Sequence, residues 1–171
     1  KDDLLERKPH GAWYYEQIDL GYNYRITDIQ CALIISQLDK LSLFSQRRKE
    51  IVEQYNKAFL SCPELFVQEE IPASDTTRHL YILRIVPEKL TIDRKGFFEA
   101  LAAENICCNV HYIPVYWHPY YEKLGYKKGI CPHAEKLYTE MMSLPLYYGL
   151  TDKDVEDVIT AVKKIVAYYR K

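Results

Sequence analysis

Apolar residues recur at helical spacing in three separate stretches of the chain, which predicts three long helices. The first is predicted over residues 27–38, because Thr27 and Gln30 are spaced as a capping box. Apolar residues occupy nearly every face of this helix, so it is expected to be buried. The second is predicted over residues 42–60 and ends before Pro63.

The last helix is predicted to begin at Thr151, since Asp154 follows at the spacing of a second capping box. Its apolar residues form one continuous stripe, which is typical of a helix packed on a core. They are Val155, Val158, Ile159, Val162, Ile165, Val166 and Tyr169.

Between these helices, runs of β-branched and aromatic residues predict short strands. They cover residues 65–71, 79–86 and 106–112. Asp93 is expected to cap a helix that extends to Glu104, and another helix is predicted over residues 132–142. A strand, a helix and a further strand in succession predict a compact α/β layer domain. We place this domain over residues 61–171 and a loop with a long helical arm over residues 1–60.

The composition is that of an ordinary soluble globular protein, with 171 residues, 48% hydrophobic residues and a net charge of −1. This balance gives no indication of a nucleic-acid partner, and no apolar run reaches the roughly 20 residues that span a bilayer. The five cysteines are odd in number and form no CxxC pair, which favours a reducing, cytoplasmic setting. The chain starts with Lys1 rather than Met, so we expect it to be part of a longer protein.

A first candidate site is the polar and aromatic cluster at residues 22–25, directly before the first predicted helix. A helix N-terminus with an arginine beside it suits a phosphate or another anion. The alternative is a capped helix with aromatic side chains on its surface.

A second candidate site is the ring-rich segment at residues 111–121. It follows a predicted strand, and strand ends commonly carry ligand contacts in α/β sheets. Its rings suit packing against a sugar or a base, and His111 and His118 are able to bond to hydroxyls or phosphates. No third partner for a metal accompanies them, so no metal site is expected. The alternative is that these rings pack within the domain.

Several motifs, taken in order, resemble the DegT/DnrJ/EryC1/StrS family. These are pyridoxal-phosphate-dependent aminotransferases that act on nucleotide-linked keto-sugars. The motifs are GYNYRITDIQCAL at residues 21–33, HLY at 79–81, VHYIP at 110–114 and SLPLY at 143–147. The resemblance covers about residues 10–165. Residues 111–125 are similar to the branch of the family that acts in pseudaminic acid synthesis.

This resemblance implies the C-terminal small domain of a fold-type I aminotransferase, a small sheet packed by helices and preceded by a helical arm. In the family the Schiff-base lysine precedes the matched segment, so no catalytic residue is expected here and the chain alone is expected to be inactive. The resemblance also implies pyridoxal phosphate as the cofactor, a nucleotide sugar and an amino-acid amino donor as substrates, and a homodimer. Each site of that homodimer borrows residues from the partner subunit.

Individual site residues follow from the same motifs. Asn23 matches the family's asparagine that reaches the cofactor phosphate across the dimer. Arg25, with Tyr24 beside it, matches an arginine expected near the phosphates of the nucleotide sugar. The other residues expected to contact the substrate are His111, Tyr112, His118 and Tyr120.

Two functions of other classes stay open from the sequence alone. One is a stand-alone module that binds a nucleotide sugar without converting it. The other is an interaction domain that docks a partner through the helix predicted over residues 27–38. The coding sequence upstream of Lys1 distinguishes the aminotransferase from both alternatives. An upstream aminotransferase large domain supports the aminotransferase, and a start codon near Lys1 supports the other two.

Overall fold

The computed structural model describes residues 5–8 and 13–171 of the chain. The chain forms two compact units, of which the first covers Lys1–Asp39 and the second Lys40–Lys171. None of the helices in the described ranges is long and apolar enough to cross a membrane.

The described part of the first unit consists of an irregular segment that leads into helix α1 (Asp28–Leu38). The predicted capping box is confirmed. The Thr27 hydroxyl accepts from the backbone N–H of Gln30 at 3.3 Å, and the side chain of Gln30 accepts from the N–H of Thr27 at 3.0 Å. The expected burial of this helix is wrong for the chain as it stands, because none of its residues is buried. A helix that is apolar all round needs cover on every side, and the described residues of its own unit supply only an irregular segment.

The second unit is built from a three-stranded sheet and the helices that pack on it. The strands are β1 (Leu65–Val67), β2 (Tyr81–Ile85) and β3 (Met141–Leu144). The helices are α2 (Leu41–Phe59), α3 (Arg94–Ala103), α4 (Pro119–Lys123), α5 (Pro132–Glu140) and α6 (Asp152–Tyr169), with 3-10 turns at Pro87–Lys89 and Val115–Trp117.

The sheet is antiparallel throughout, in the order β1-β2-β3. Burial alternates along β2, so that Tyr81, Leu83 and Ile85 enter the core while the residues between them are only half-buried. Helices α2, α3 and α6 supply the other side of this core. Their fully buried side chains include Ile51, Tyr55, Phe59, Phe97, Leu101, Val155, Val162 and Val166.

The predicted helix starts in this unit are confirmed. Asp93 accepts from the backbone N–H of Gly96 at 2.8 Å, and Thr151 and Asp154 form the second capping box. The apolar stripe of α6 enters the core as expected, and α6 contacts α2 and α3 there.

The strand predicted over residues 106–112 is wrong. Only Asn109 pairs with the sheet, through two backbone hydrogen bonds to Ser143 of 3.2 and 2.7 Å. The third strand is β3, whose first two residues the sequence pattern had assigned to the preceding helix. That helix, α5, ends at Glu140 because β2 offers a pairing edge to the next four residues. Strand composition predicts an extended backbone, whereas a strand also needs a partner that only the tertiary structure supplies.

The described contacts divide the chain after Asp39 and place α2 in the second unit. Tyr55 and Phe59 of α2 lie in the core with Tyr81 of β2. The domain boundary predicted between residues 60 and 61 refers to the full-length protein, and it stays a prediction.

Candidate functional site

Asn23, Tyr24 and Arg25 lie exposed in the loop that leads into α1. The side-chain carbonyl of Asn23 accepts from the backbone N–H of Arg25 at 3.3 Å, which shapes the loop as an Asx-type turn. With the carbonyl used in this way, the two N–H donors of the Asn23 amide are left for a ligand. The rings of Tyr22 and Tyr24 lie 5.5 Å apart and are more than four-fifths exposed.

The start of α1 is already occupied by groups of the chain itself. The capping box uses two backbone donors, and Asp28 places a carboxylate in the first turn. That carboxylate complements the positive end of the helix dipole. An anion bound beside this loop would therefore depend on the Asn23 amide and the Arg25 guanidinium more than on the helix end.

In the second unit, His111 is held by two neighbours. Its Nδ1 lies 2.8 Å from the hydroxyl oxygen of Ser143 on β3, and its ring meets the ring of Tyr112 edge-on at 4.6 Å. Ser143 is buried, His111 is half-buried and Tyr112 is exposed. The histidine is thus tied to the sheet while the tyrosine beside it stays free to contact a ligand.

His118 and Tyr120 lie at the start of α4 and both are exposed. The backbone carbonyl of His118 accepts from the N–H groups of Tyr121 and Glu122, and its side chain makes no capping hydrogen bond to α4. The ring of Tyr120 contacts that of Tyr121 edge-on at 5.4 Å. Their accessibility is compatible with substrate contact, and their individual roles stay predictions.

Two of the predicted rings, by contrast, pack within the domain, as the alternative interpretation proposed. Trp117 meets Tyr138 of α5 edge-on at 5.5 Å, and the ammonium of Lys128 lies 4.4 Å from its ring centre. Tyr116 donates its hydroxyl to Glu135 of α5 at 2.8 Å. The segment from residue 111 to 121 therefore combines packed rings at its centre with exposed rings on either side.

Glu135, which the sequence analysis did not single out, organises this loop. Its carboxylate accepts from the Tyr116 hydroxyl and, at 2.5 Å, from the backbone N–H of Gly129. Gly129 has a positive φ of 96°, a conformation that glycine adopts readily. Since 19 residues separate Tyr116 from Glu135, no local sequence pattern signals the contact.

The electrostatics of this pair keep the contact intact near neutral pH. Desolvation raises the pKa of Glu135, but the hydrogen bonds from Gly129 and Tyr116 outweigh it, and the net pKa is lowered. Desolvation, together with the hydrogen bond to Glu135, raises the pKa of Tyr116 to about 12. The carboxylate is therefore ionised and the phenol protonated, as the hydrogen bond requires.

The structure thus describes the two sets of predicted site residues in different units, Asn23, Tyr24 and Arg25 in the first and the histidines and tyrosines in the second. A cleft of about 710 Å³ in the second unit, between α6 and residues 104–107, contains none of them. Glu104, Asp154 and Asp157 line it, and Glu104 and Asp157 are paired with Lys164 and Lys153.

Comparison with known proteins gives one family for nearly the whole chain. Residues 5–163 match the DegT/DnrJ/EryC1/StrS aminotransferase family. Protein MJ1066 of Methanocaldococcus jannaschii, itself uncharacterised, is 45% identical over 99% of the chain. The spore coat polysaccharide biosynthesis protein SpsC of Bacillus subtilis is 41% identical over 92%. The UDP-4-amino-4,6-dideoxy-N-acetyl-beta-L-altrosamine transaminase of Campylobacter jejuni is 32% identical over 99%. The chain spans only 44%, 41% and 46% of these relatives, respectively.

Solved structures agree with this assignment. Helicobacter pylori PseC, an aminotransferase involved in the biosynthesis of pseudoaminic acid, matches 95% of the chain with a TM-score of 0.82 and 26% identity, over 43% of its own length. Spr1654 of Streptococcus pneumoniae, solved in its PLP form, matches 92% of the chain with a TM-score of 0.82 and 30% identity, over 40% of its length. These matches confirm the predicted fold class, the small α/β domain of a fold-type I aminotransferase with its helical arm. The chain belongs to the DegT/DnrJ/EryC1/StrS aminotransferase family.

Proposed function

We propose that this chain is the C-terminal part of a pyridoxal-phosphate-dependent aminotransferase that transfers an amino group to a nucleotide-linked 4-keto-6-deoxy sugar. The product would serve a surface glycan of the pseudaminic acid, flagellin or spore-coat type. The observation that carries this proposal is the match of residues 5–163 to the family. The names of the relatives from Bacillus and Campylobacter support the class of sugar product.

The residues of the loop before α1 fit the phosphate groups of the cofactor and of the nucleotide sugar. The Asn23 amide has two N–H donors left over from its turn, which suit the cofactor phosphate. The exposed Arg25 offers a permanently charged guanidinium, which suits the phosphates of the nucleotide sugar. When bound, pyridoxal phosphate supplies the electron sink for transamination. This chain's part is to anchor and orient, which reduces the entropic component of the barrier.

The loop from residue 111 to 121 is proposed to receive the nucleotide sugar. His111 offers a ring nitrogen, and the exposed rings of Tyr112 and Tyr120 offer faces for a base or a sugar. His118 and Tyr24 complete the proposed substrate contacts. The same proposal includes an amino-acid donor, a homodimer that completes each site and a cytoplasmic location. The five free cysteines support a reducing compartment.

The chain by itself is proposed to be inactive, because the Schiff-base lysine would lie in the part of the enzyme that precedes it. Incubation with pyridoxal phosphate followed by borohydride should modify lysines diffusely, without one stoichiometric adduct. Peptide mapping of the reduced protein tests this. A single fully modified lysine would overturn the proposed inactivity. The alternative function, a stand-alone binding module, predicts that the chain alone retains the nucleotide sugar without converting it.

Asn23 gives the sharpest test in the full-length protein that contains this chain. A hydrogen bond to a charged phosphate contributes roughly 1.5–3 kcal/mol, or about one to two decades of affinity, so Asn23→Ala should weaken cofactor binding by that factor. Asn23→Asp is the matched control, since it keeps the acceptor for the Arg25 N–H but places a carboxylate where the donors were.

We expect Asn23→Asp to retain the melting temperature of the wild type and to lose cofactor affinity at least as strongly as Asn23→Ala. Titration of pyridoxal phosphate into the apo-proteins, with melting curves alongside, measures both quantities. If Asn23 serves only the turn, Asn23→Asp will bind the cofactor like the wild type, and the assigned role is then rejected.

A further inference from the structure

Ser143 stands out as a buried polar residue whose hydroxyl meets a proposed site residue. It lies in the middle of β3, opposite Ile82 of β2, and only 5% of its surface is exposed. Its backbone N–H and C=O are both bonded to Asn109, at 2.7 and 3.2 Å. The position of its side chain is therefore determined by the sheet on one side and by the bridge on the other.

We propose that Ser143 is a positioning residue, which holds the ring of His111 in the tautomer that presents Nε2–H to the substrate. The two groups are 2.8 Å apart, between the serine hydroxyl oxygen and Nδ1 of the ring. The identity of the substrate rests on the proposed function, whereas the assignment of the tautomer rests only on the contact between Ser143 and His111.

The direction of the hydrogen bond follows from what each group requires. A buried hydroxyl that donates to no acceptor loses free energy, and Nδ1 is the acceptor that the described residues offer to Ser143. A ring nitrogen that accepts carries no proton, so the proton of the neutral imidazole lies on Nε2. The opposite arrangement, with Nδ1–H donating to the serine, leaves the hydroxyl proton without a described acceptor.

The orientation of the ring is restrained a second time by Tyr112, whose ring packs edge-on against it at 4.6 Å and 86°. Because the ring is half-buried, one edge is bonded to the sheet and the rest stays accessible. A fixed Nε2–H donor suits an acceptor oxygen such as a sugar hydroxyl, a carbonyl or a phosphate. The Ser143 hydroxyl would thus select the tautomer in which Nε2 of His111 is a hydrogen-bond donor.

The tautomer is measured directly by long-range ¹H–¹⁵N correlation of the histidine rings at alkaline pH, where histidine is neutral. His111→Gln assigns the signal, and His133 on α5 serves as the internal reference. In the wild-type chain we expect His111 to show one tautomer, with the proton on Nε2. A ring protonated on Nδ1, or an even mixture of tautomers, would overturn the proposal without recourse to any variant.

Two variants separate the hydroxyl from the shape of the side chain. Ser143→Thr keeps the hydroxyl and Ser143→Val lacks it, while both place a β-branched side chain of nearly the same volume in β3. We expect the threonine variant to keep the wild-type tautomer and the valine variant to show a mixture. Equal spectra for the two variants would contradict a role for the hydroxyl.

Kinetics of the full-length enzyme then connect the tautomer to the substrate. Loss of one neutral hydrogen bond corresponds to roughly a 2–10-fold effect, and Ser143→Val should raise KM for the nucleotide sugar by that factor relative to Ser143→Thr, with little change in kcat. If the tautomer changes while KM for the nucleotide sugar does not, His111 positions no part of that substrate. In that case the proposed site is wrong although the role of Ser143 toward the ring stands.

Discussion

The guanidinium of Arg84 in β2 lies 2.5 Å from the carboxylate of Glu140, the last residue of α5. The Glu140 side chain is only 7% exposed and that of Arg84 is 31% exposed, so this ion pair is largely removed from water. Arg84 also lies over the ring of Phe66 in β1, 4.8 Å from its centre. One cation thereby connects two strands and the helix that precedes the third strand.

We expect Arg84→Met to destabilise the chain by about 1–3 kcal/mol, because Glu140 would keep its burial and lose its main partner. Lys136, at 3.8 Å from Glu140, offsets only part of that loss. Urea denaturation measures the free energy of unfolding. The matched control is Lys95→Met, which breaks the exposed Lys95–Glu99 pair and should change stability little, because water screens that pair.

A double variant, Arg84→Met with Glu140→Gln, tests the cause of that loss. Removing the uncompensated charge should recover part of the stability lost in Arg84→Met. If the double variant is as unstable as the sum of the two single variants, the residues act independently, and the ion pair is not the reason.

The contact between Glu135 and Tyr116 predicts a pH-dependent loop. The folded-state pKa of Glu135 is lowered from its ordinary value of 4.5, so its stabilising contribution is complete above that value and is lost as the pH falls through the lower folded-state pKa. Fluorescence of Trp117, recorded in a Trp13→Phe background, should be constant near neutrality and change below about pH 4.5. Glu135→Gln should abolish this transition. A transition that persists in the glutamine variant would assign it to other carboxylates.

Helix α1 predicts self-association of the isolated chain. Its apolar residues Ile29, Leu33, Ile35 and Leu38 are each more than half exposed, and contiguous exposed apolar surface marks an interface. Burial of one leucine contributes about 1.5–3 kcal/mol, so Leu33→Gln should weaken association by roughly one to two decades. Leu60→Gln is the control, since Leu60 is exposed but lies outside α1. Sedimentation equilibrium that shows a monomer at all concentrations would contradict this prediction.

The adjacent residues Cys107 and Cys108, which precede the bridge residue Asn109, should differ in reactivity. Burial raises the pKa of the Cys108 thiol to about 12, whereas Cys107 and Cys131 are exposed. Only the thiolate is nucleophilic, so iodoacetamide at pH 8 should modify Cys107 and Cys131 well before Cys108. Tandem mass spectrometry separates the neighbouring sites, and unfolding in urea should make the rates equal. A Cys108 that reacts as fast as Cys131 in the folded chain would show that the segment is not packed as described.

The starts of α1 and α6 could be predicted from sequence because a capping box is complete within four residues. Thr27 with Gln30 and Thr151 with Asp154 each satisfy backbone donors that no distant residue is needed to satisfy. The apolar face of α6 could also be predicted from its own residues, since helical periodicity places them on one side of the helix whatever packs against it. The four motifs, taken together in their order, indicated the family, because motifs and family are both properties of residue order.

The partners of these elements were decided by the tertiary structure alone. Residues 141–144 pair with β2 as the strand β3, whereas residues 106–112, which have strand composition, contribute only the bridge of Asn109 to Ser143. The contacts of Tyr116 with Glu135 and of His111 with Ser143 join residues 19 and 32 positions apart. Local patterns determine which backbone conformation a segment favours. Which segments meet depends on the free energy of burying and hydrogen-bonding them together, and that free energy belongs to the folded chain as a whole.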